Sequence, residues 1–347
     1  MGWAAVSQRD IVAVMRRGDI GRAAVIGVLV GLAILAGVQV QPDGDGSAPA
    51  RHAARAEIRG LLEDIVGADL VRFDTHDDRG YPIEPGAIVS APGGGYAAVY
   101  WVVLDSTGAV ATELATSPDL VGWTWRVTLA EGATQPTIEP GLDGGWVVGW
   151  EKEPPNHLQF AWYATWADLL AAHPARFLDV PMTLSPPDCA EGTPSFYSAS
   201  STFLDVGFHF FDECEVDRPA RGTTDWVTWS ARPRPAYETA FRRYGLHGGV
   251  GDRDTFRFRG FDFTVQEGQA VWEHFETFRV YLYDDAAGIA EPLDLQTPAG
   301  CVAFTNPMVE LVTFEGWPSV VATMFVPGEV GLDCEAGPLL YLHRLDP

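Results

Sequence analysis

Lysine is almost missing from this chain. Lys152 is the single lysine among 347 residues, while 47 acidic residues bring the net charge to −24. A surplus of negative charge on this scale repels phosphate backbones and anionic lipid head groups. We therefore expect no nucleic-acid partner, and no acidic polymer unless a local basic pocket binds it.

Several catalytic motifs are missing as well. The chain contains no Gly-x-Ser-x-Gly elbow, no His-Glu-x-x-His motif and no Walker loop, which excludes the enzyme classes that depend on them. Helical periodicity is lacking beyond about residue 70. The chain is instead rich in Val, Phe, Thr and Tyr, which suit pleated, half-buried strands, so an all-β fold is expected there.

Cysteine is scarce, and its four positions are Cys189, Cys214, Cys301 and Cys334. No Cys-x-x-Cys or His-x-x-x-His accompanies them, which disfavours a zinc site. Disulfides persist in oxidising compartments, so paired cysteines would indicate export. Their pairing does not follow from counting alone, but a repeat in the sequence supplies it.

The two cysteine-bearing stretches repeat one another. In the first, a Thr-Pro pair and an aromatic strand separate Cys189 from Cys214. In the second, an Asn-Pro pair and an apolar strand separate Cys301 from Cys334. The landmarks come in the same order at nearly the same spacing, which predicts one disulfide within each unit.

Three further copies of this unit begin near Glu84, Gln135 and Phe263, each with an apolar strand behind the first one. One strand-rich unit cannot bury both its faces alone, so a repeat of roughly 50 residues indicates a ring of such units. The five copies predict a five-bladed β-propeller over residues 71–347.

A turn landmark recurs between the units. Asp119, Asp168 and Asp225 each come within three residues after a serine or threonine and stand beside a tryptophan or leucine. Aspartate suits a tight turn there because its carboxylate can accept hydrogen bonds from the backbone just ahead. We expect the adjacent Trp or Leu to fill the space between neighbouring sheets.

The N-terminus is a separate matter. Residues 23–40 are apolar and uncharged and follow a basic stretch, with a length near the lower limit for a bilayer span and a charge pattern that favours a cytoplasmic N-terminus. A cleaved signal and a buried core helix are the alternatives. We predict a cytoplasmic lead over 1–22, an anchor or signal segment over 23–40, and a linker with a short juxtamembrane amphipathic helix over 41–70. The propeller would then be extracytoplasmic, as a single-pass anchored or a secreted protein.

Chemistry in a propeller concentrates on the axis, because the first strand of each blade lines it. Polar residues predicted on or near these strands are therefore the site candidates. The catalytic candidates are Glu84, Glu139 and Glu191, and the substrate-binding candidates are Gln266, Glu267, Asn306, Arg253 and His209. A carboxyl among apolar neighbours keeps its proton to higher pH, which suits a general acid such as Glu191; a second carboxylate across the pocket could activate water.

Five blades, the Ser/Thr-x-Asp-Leu-x-x-Trp landmark and a Glu-Gly-x-Pro at the third blade resemble the five-bladed propeller glycoside hydrolases, the arabinanase, β-xylosidase, levansucrase and invertase group. The resemblance spans about residues 80–345. In that group the first blade supplies an aspartate base, the second an aspartate that tunes the acid, and the third a glutamate acid. The resemblance implies these roles for Glu84, Glu139 and Glu191, with glutamate replacing aspartate at the first two, so the chain would be a divergent member.

Two functions are compatible with these observations. The first is an extracytoplasmic glycoside hydrolase that acts on a neutral oligo- or polysaccharide by acid–base chemistry without cofactor or metal. The second is a non-catalytic glycan- or protein-binding propeller at the cell surface, since fold does not settle function. Structural roles compete at every candidate: Glu191 can cap a turn, Glu84 and Glu139 can be solvated bends before proline, His209 can be a hydrogen-bonded core residue, and Arg253 can pair with its neighbours.

Overall fold

Five four-stranded antiparallel sheets make up the fold in a computed structural model, which describes residues 47–345 except 85, 105, 247–249, 272–273 and 329–331. The predicted lead, the apolar segment over 23–40 and residues 41–46 lie outside the described residues. Among the helices that are described, none has the length and apolar character needed to cross a membrane.

Each sheet is one propeller blade, and its strands follow one another outward from the axis. Blade I contains β2 (Ala87–Ser90), β3 (Tyr96–Val103), β4 (Val110–Ser117) and β5 (Thr124–Glu131). Blade II contains β6 (Ala133–Pro140), β7 (Trp146–Lys152), β8 (His157–Tyr163) and β9 (Arg176–Asp179). Blade III contains β10 (Glu191–Ala199), β11 (Leu204–Asp212), β12 (Val216–Thr224) and β13 (Trp229–Pro233).

Blade IV contains β14 (Arg253–Phe258), β15 (Phe261–Gln269), β16 (Phe278–Asp284) and β17 (Ile289–Pro292). Blade V contains β18 (Thr305–Phe314), β19 (Trp317–Val326), β20 (Gly337–Arg344) and, as its outermost strand, β1 (Leu70–Phe73). The chain therefore closes its ring with a strand from the N-terminal side, and Leu70 pairs with Leu342. The innermost strands β2, β6, β10, β14 and β18 contact one another around the axis.

Blade IV differs from the predicted alignment by one strand. The sequence around Phe263 predicts the innermost strand, but that segment forms β15, and β14 lies inside it. The predicted substrate-binding candidates Gln266 and Glu267 therefore lie on a second strand. Blade IV lacks the proline that marks the start of the other innermost strands, which explains why the repeat was misaligned there.

Two of the three aspartate landmarks form turns as predicted, whereas Asp168 lies in the short helix Trp166–Leu170 and its carboxylate accepts from the Thr165 hydroxyl at 2.6 Å. Asp119 accepts backbone hydrogen bonds from Val121 and Gly122 at 2.9 and 3.0 Å. Asp225 does the same for Val227 and Thr228 at 3.0 and 2.7 Å. These bonds hold the adjacent Leu or Trp in the buried space beside its blade.

Both disulfides join the cysteines that the repeat pairs, Cys189 with Cys214 and Cys301 with Cys334. Each links the segment before an innermost strand to the loop after the second strand of the same blade. The two disulfides therefore occupy equivalent positions in blades III and V, as the sequence repeat predicts. Two disulfides indicate an oxidising, extracellular environment.

Apolar side chains fill four of the five spaces between blades. Separate clusters join blades I and II, II and III, IV and V, and V and I. Within the described ranges no such cluster contains strands of both blade III and blade IV; a fifth cluster packs residues 237–246 and 250, which follow blade III, against blade IV, and the remaining contacts between these blades include polar ones. There Tyr197 and Thr264 donate hydrogen bonds to Asp285, and Arg234 forms an ion pair with the same carboxylate at 2.6 Å.

The described part of the chain also contains three α-helices outside the sheets: α1 (Ser47–Glu63), α2 (Trp166–Leu170) and α3 (Pro235–Arg242). The apolar face of α1 packs into the cluster between blades IV and V, where Ile58 and Leu62 are fully buried. Tyr341 of β20 donates a hydrogen bond to the carbonyl of Leu62 at 2.8 Å. The apolar face of α1 is therefore used to cover the propeller.

We expect Ile58→Ala and Leu62→Ala each to lower the free energy of unfolding by about 2–4 kcal/mol, because each leaves a cavity in a packed cluster. Chemical denaturation monitored by tryptophan fluorescence would measure the change. Val66→Ala is the matched control, since Val66 is 70% exposed and should change stability little. Losses for Ile58→Ala and Leu62→Ala no larger than that of the control would show that α1 does not stabilise the ring.

Candidate functional site

The starts of the innermost strands share one local geometry. Gln135, Thr193 and Asn306 each precede a proline and have φ angles of 48, 49 and 51°, and the pairing of each strand shifts at that point. Such bulges re-aim a side chain. Glu84 stands before a proline at the matching place in blade I. Four side chains from four blades are thereby placed at one end of the axis, which we call the mouth.

Asp252 of blade IV is the centre of the mouth. Thr193 donates from Oγ1 to Asp252 Oδ1 at 2.7 Å, and Gln135 donates from Nε2 to Oδ2 at 2.9 Å. Asp252 is only 6% exposed. One carboxylate thus joins side chains of blades II, III and IV.

The same network continues into blades V and I. The backbone N–H of Glu267 donates to the carbonyl of Asp252 at 2.9 Å, and the Glu267 carboxylate accepts from the backbone N–H of Asn306 at 2.8 Å. The Asn306 side chain then donates to Glu84 Oε1 at 2.9 Å. A continuous hydrogen-bonded path therefore connects Asp252 to Glu84.

Glu151, on the second strand of blade II, completes the ring. Its Oε2 accepts from the backbone N–H of Thr193 at 3.2 Å, and its Oε1 accepts from the Asn156 side chain. A Cβ atom on Gly192 would lie 1.9 Å from Glu151 Oε2. The glycine in the Glu-Gly-Thr-Pro sequence is therefore needed to admit this carboxylate.

Five carboxyls gather at the mouth, and desolvation raises the pKa of each. We call this group the mouth cluster: Glu84, Glu151, Asp217, Asp252 and Glu267. The pKa rises to about 8 for Glu84 and Glu151 and to about 6 for Asp252. For Asp217 and Glu267 it rises well above the ordinary value, and the charge of Asp252 adds to the effect of burial.

Asp252 ionises more readily than Glu84 and Glu151 because its surroundings favour its charged form. After desolvation, which raises its pKa, the main influences are the hydrogen bond from Thr193, the charge of Arg253 and the hydrogen bond from Gln135, all of which lower it. For Glu151, by contrast, the charges of Glu153 and Asp252 add to the rise. The cluster thus contains carboxyls with separated pKa values, which is the pattern of acid–base pairs.

Arg253 and His209 lie on the blade III side of the mouth. Arg253 is 2% exposed and its Nη2 donates to the carbonyl of Gly251 at 3.3 Å. Its charge acts on Asp217 and on His209. Burial, followed by the Arg253 charge, lowers the pKa of His209 to about 3, so the imidazole is neutral. His209 Nδ1 lies 3.9 Å from Asp217 Oδ1, too far for a direct hydrogen bond.

Gln266 is fully buried and holds the segment before β14. Its Nε2 donates to the carbonyls of Gly251 and Asp252 at 2.9 and 2.8 Å, and its Oε1 accepts from Tyr237 at 3.0 Å. These contacts fix the backbone that carries Asp252. Gln266 therefore positions Asp252 through the backbone and not through its carboxylate.

Glu191 points away from the network. It is 1% exposed, and its Oε1 accepts the backbone N–H groups of Thr183, Leu184 and Ser185 at 2.7, 2.6 and 3.0 Å. Three donors on one carboxylate oxygen anchor the 183–185 segment. Glu139 lies on β6, four residues beyond Gln135, and is therefore farther along the axis than the mouth.

Sequence reasoning did not single out Glu151, Asp217 and Asp252, or the donors Gln135 and Thr193. The X-Pro pairs were a usable signal for the donors, because each marks the same bulge. Glu151 and Asp217 lie on second and third strands, and nothing in the sequence around them indicates the mouth. In the described part of the chain, no group of three or more His, Cys, Asp or Glu is arranged to hold a metal ion.

We expect Glu191→Ala to lower the free energy of unfolding by about 3 kcal/mol or more, because three buried N–H groups lose a charged acceptor. Glu191→Gln should lose less than half as much, since its amide oxygen can still accept. Urea denaturation of both variants would measure this. Equal stability of Glu191→Ala and wild type would contradict the anchoring role.

Comparisons with known proteins agree on the fold. No protein-family model and no curated protein matches the sequence. A bifunctional GH43-CE protein from Bacteroides eggerthii superposes with a TM-score of 0.51 and 13% identity over 77% of this chain and 33% of its own. An α-L-arabinofuranosidase from Lactobacillus brevis superposes with a TM-score of 0.49 and 10% identity over 77% and 94%, and a GH32 β-fructofuranosidase from Bombyx mori with 0.48 and 12% over 86% and 67%. The superposition on the GH43-CE protein shows a shared fold at low identity, and the five-bladed propeller is the architecture that the sequence landmarks predict.

Proposed function

We propose that this chain is an extracytoplasmic carbohydrate-active enzyme that hydrolyses glycosidic bonds, with Glu84 as general acid and Asp252 as general base. The observation that carries the proposal is the mouth cluster, in which one carboxyl ionises near pH 6 while another keeps its proton to about pH 8. Glycoside hydrolysis requires such a pair, one protonated and one ionised.

Glu84 suits the acid because desolvation raises its pKa to about 8 and keeps it neutral, while the residue remains partly exposed. The Asn306 side chain fixes its orientation at 2.9 Å. A group that holds its proton above pH 7 can deliver it to the leaving oxygen.

Asp252 suits the base because it is the member of the pair that is ionised at neutral pH. Thr193 and Gln135 bond one oxygen each, which leaves further lone pairs on both oxygens for a water molecule. A proton taken from that water would pass to Asp252 while its hydroxyl attacks the sugar carbon. Glu151 and Glu267 accept the backbone N–H groups of Thr193 and Asn306 and so hold the donors of this pair in position, and Glu191 holds the adjoining loop.

A neutral sugar suits the mouth best. Among the described residues, Arg253 is the one cation whose charge acts on any of these five carboxyls, so a substrate with its own negative charge would be repelled. The resemblance of the sequence to propeller glycoside hydrolases suggests the substrate class. The two disulfides support an exported location, and a secreted or a membrane-anchored form both fit it.

The test is hydrolysis of arabino-, xylo- and fructo-oligosaccharides by the wild type and by Glu84→Gln and Asp252→Asn. We expect each variant to lose about 10²-fold or more in kcat, the usual size of a general acid or base contribution, while binding the oligosaccharide. Glu131→Gln is the control because Glu131 is exposed, and it should keep full activity. Wild-type hydrolysis that survives in both variants would refute this pair, and loss of activity in Glu191→Gln at unchanged stability would point to Glu191 as the acid.

The pH profile gives an independent test. We expect kcat/KM to rise through about pH 6 as Asp252 ionises and to fall through about pH 8 as Glu84 does. Gln135→Ala removes a donor that lowers the pKa of Asp252, so the acid limb should move to higher pH. Asn306→Ala removes the donor of Glu84, so the alkaline limb alone should move to higher pH. Gln135 and Asn306 occupy equivalent places before a proline in their blades. A shift of the same limb in both variants would contradict the roles given to Asp252 and Glu84.

A non-catalytic glycan-binding propeller is the second candidate. The observation that favours it is that Gln135 and Thr193, which cannot ionise, occupy the mouth positions of blades II and III. Hydrogen-bonding groups without a carboxylate at these positions suit binding more than acid–base work. Saturable binding of an oligosaccharide without hydrolysis across the whole panel would establish this alternative.

A further inference from the structure

A second group of carboxyls lies deeper along the axis. Glu139 of β6, Asp254 of β14 and Glu310 of β18 come from blades II, IV and V, and we call them the channel cluster. Glu139 and Glu310 each lie four residues beyond a mouth residue of their strand, roughly 13 Å at the usual rise. Asp254 is 1% and Glu310 7% exposed. The proposed hydrolysis makes no use of this group.

Buried oxygen atoms in the channel cluster have no partner. Val309 donates its backbone N–H to Asp254 Oδ2 at 2.8 Å. Asp254 Oδ1 and Glu310 Oε1, however, are buried without any hydrogen-bond partner among the described residues. Such an oxygen is costly as a carboxylate and much less so when the group carries a proton.

The charges that act on the carboxyls of the channel cluster come from the other carboxyls of the same cluster. Asp254 and Glu139 act on Glu310, and Asp254 acts on Glu139. On the neighbouring innermost strands, β2 has no titratable residue, and β10 has Glu191, which bonds the 183–185 segment, and Tyr197, which bonds Asp285.

The basic residues of β14 lie elsewhere. Arg253 acts on Asp217, and the exposed Arg257 pairs with Asp262. Within the described residues of the five innermost strands, no cation therefore neutralises the cluster. Like charges at close range in a desolvated site cannot all ionise.

We propose that Glu139, Asp254 and Glu310 form a proton-operated latch: the innermost strands of blades II, IV and V stay packed together while these carboxyls keep their protons, and the ring loosens when they ionise. Carboxyls that keep protons in the folded state stabilise it fully below their ordinary range near pH 4. That contribution is lost as the pH rises through the folded-state values. Burial raises the pKa of Asp254 to about 7 and those of Glu139 and Glu310 well above the ordinary value, so the loss begins above about pH 4 and is complete only above neutral pH.

The test is thermal unfolding of the full chain between pH 5 and pH 9 for the wild type, Glu139→Gln and Glu310→Gln. An amide has the shape of a neutral carboxyl but cannot ionise. We expect each variant to unfold about 3–5 °C higher than the wild type at pH 9, and to differ little from it at pH 5. Glu131→Gln, on the exposed surface, is the control and should follow the wild-type curve throughout.

Other outcomes would overturn the proposal. Variant curves parallel to that of the wild type would mean that the cluster has no role in pH dependence. A rise in wild-type melting temperature with added calcium or sodium chloride at pH 9, absent in Glu310→Gln, would mean that the cluster holds a cation instead of protons.

Hydrogen exchange of the wild type tests the latch without any variant, and so it applies even if the variants do not fold. After correction for intrinsic exchange, the wild type at pH 8.5 should exchange faster in β6, β14 and β18 than at pH 5.5, while β11 remains unchanged. Equal protection of these strands at both pH values would refute the latch.

Discussion

The hydrogen bonds from Thr193 and Gln135 to the carboxylate of Asp252 are the contact on which the mouth depends. The innermost strands of a propeller do not pair with one another, so only side chains can join their starts across the axis. A buried carboxylate is stable there only if donors reach it. Because the two donors come from different blades, closure of the ring and placement of Asp252 are one requirement. The X-Pro bulges satisfy it by turning both donors toward the axis.

The polar interface between blades III and IV has a consequence for the mouth. The other four interfaces are filled by apolar clusters. The fifth contains Tyr197, Arg234 and Asp285, and Arg253 extends along it to Asp217. The charge of the Arg253 guanidinium lowers the pKa of the neighbouring Asp252. The interface that contains these polar groups thus supplies the charge that lets a single carboxylate ionise in an acidic cluster.

The sequence predicts architecture better than chemistry for a physical reason. Blades repeat because each must bury two faces, and this leaves a regular pattern of apolar strands, aspartate turns and cysteines. Blade IV differs from the predicted alignment by one strand because its innermost strand starts at Arg253, directly after Asp252, without an X-Pro pair.

The site is less visible in the sequence because it exists only after the ring has closed. Glu84 could be found from its proline and its place at the head of a blade. Glu151 and Asp217 could not, since they reach the mouth from strands whose sequence reflects packing alone. Glu191 has the context of an acid, yet its contacts are with the loop before it. The direction of a side chain at a bulge is decided by neighbours that the local sequence does not contain.

Crowding of carboxyls explains how one acidic site can contain both an acid and a base. In a desolvated cluster the first ionisation makes every later one harder. The group with the best donors and the nearest cation ionises first, and here that group is Asp252. Its charge then raises the pKa of Glu84, so ionisation of the base itself helps to keep the acid protonated. The same repulsion, with no cation from the described innermost strands to offset it, raises the pKa of every carboxyl in the channel cluster, which is why two clusters of carboxyls in one ring can serve different purposes.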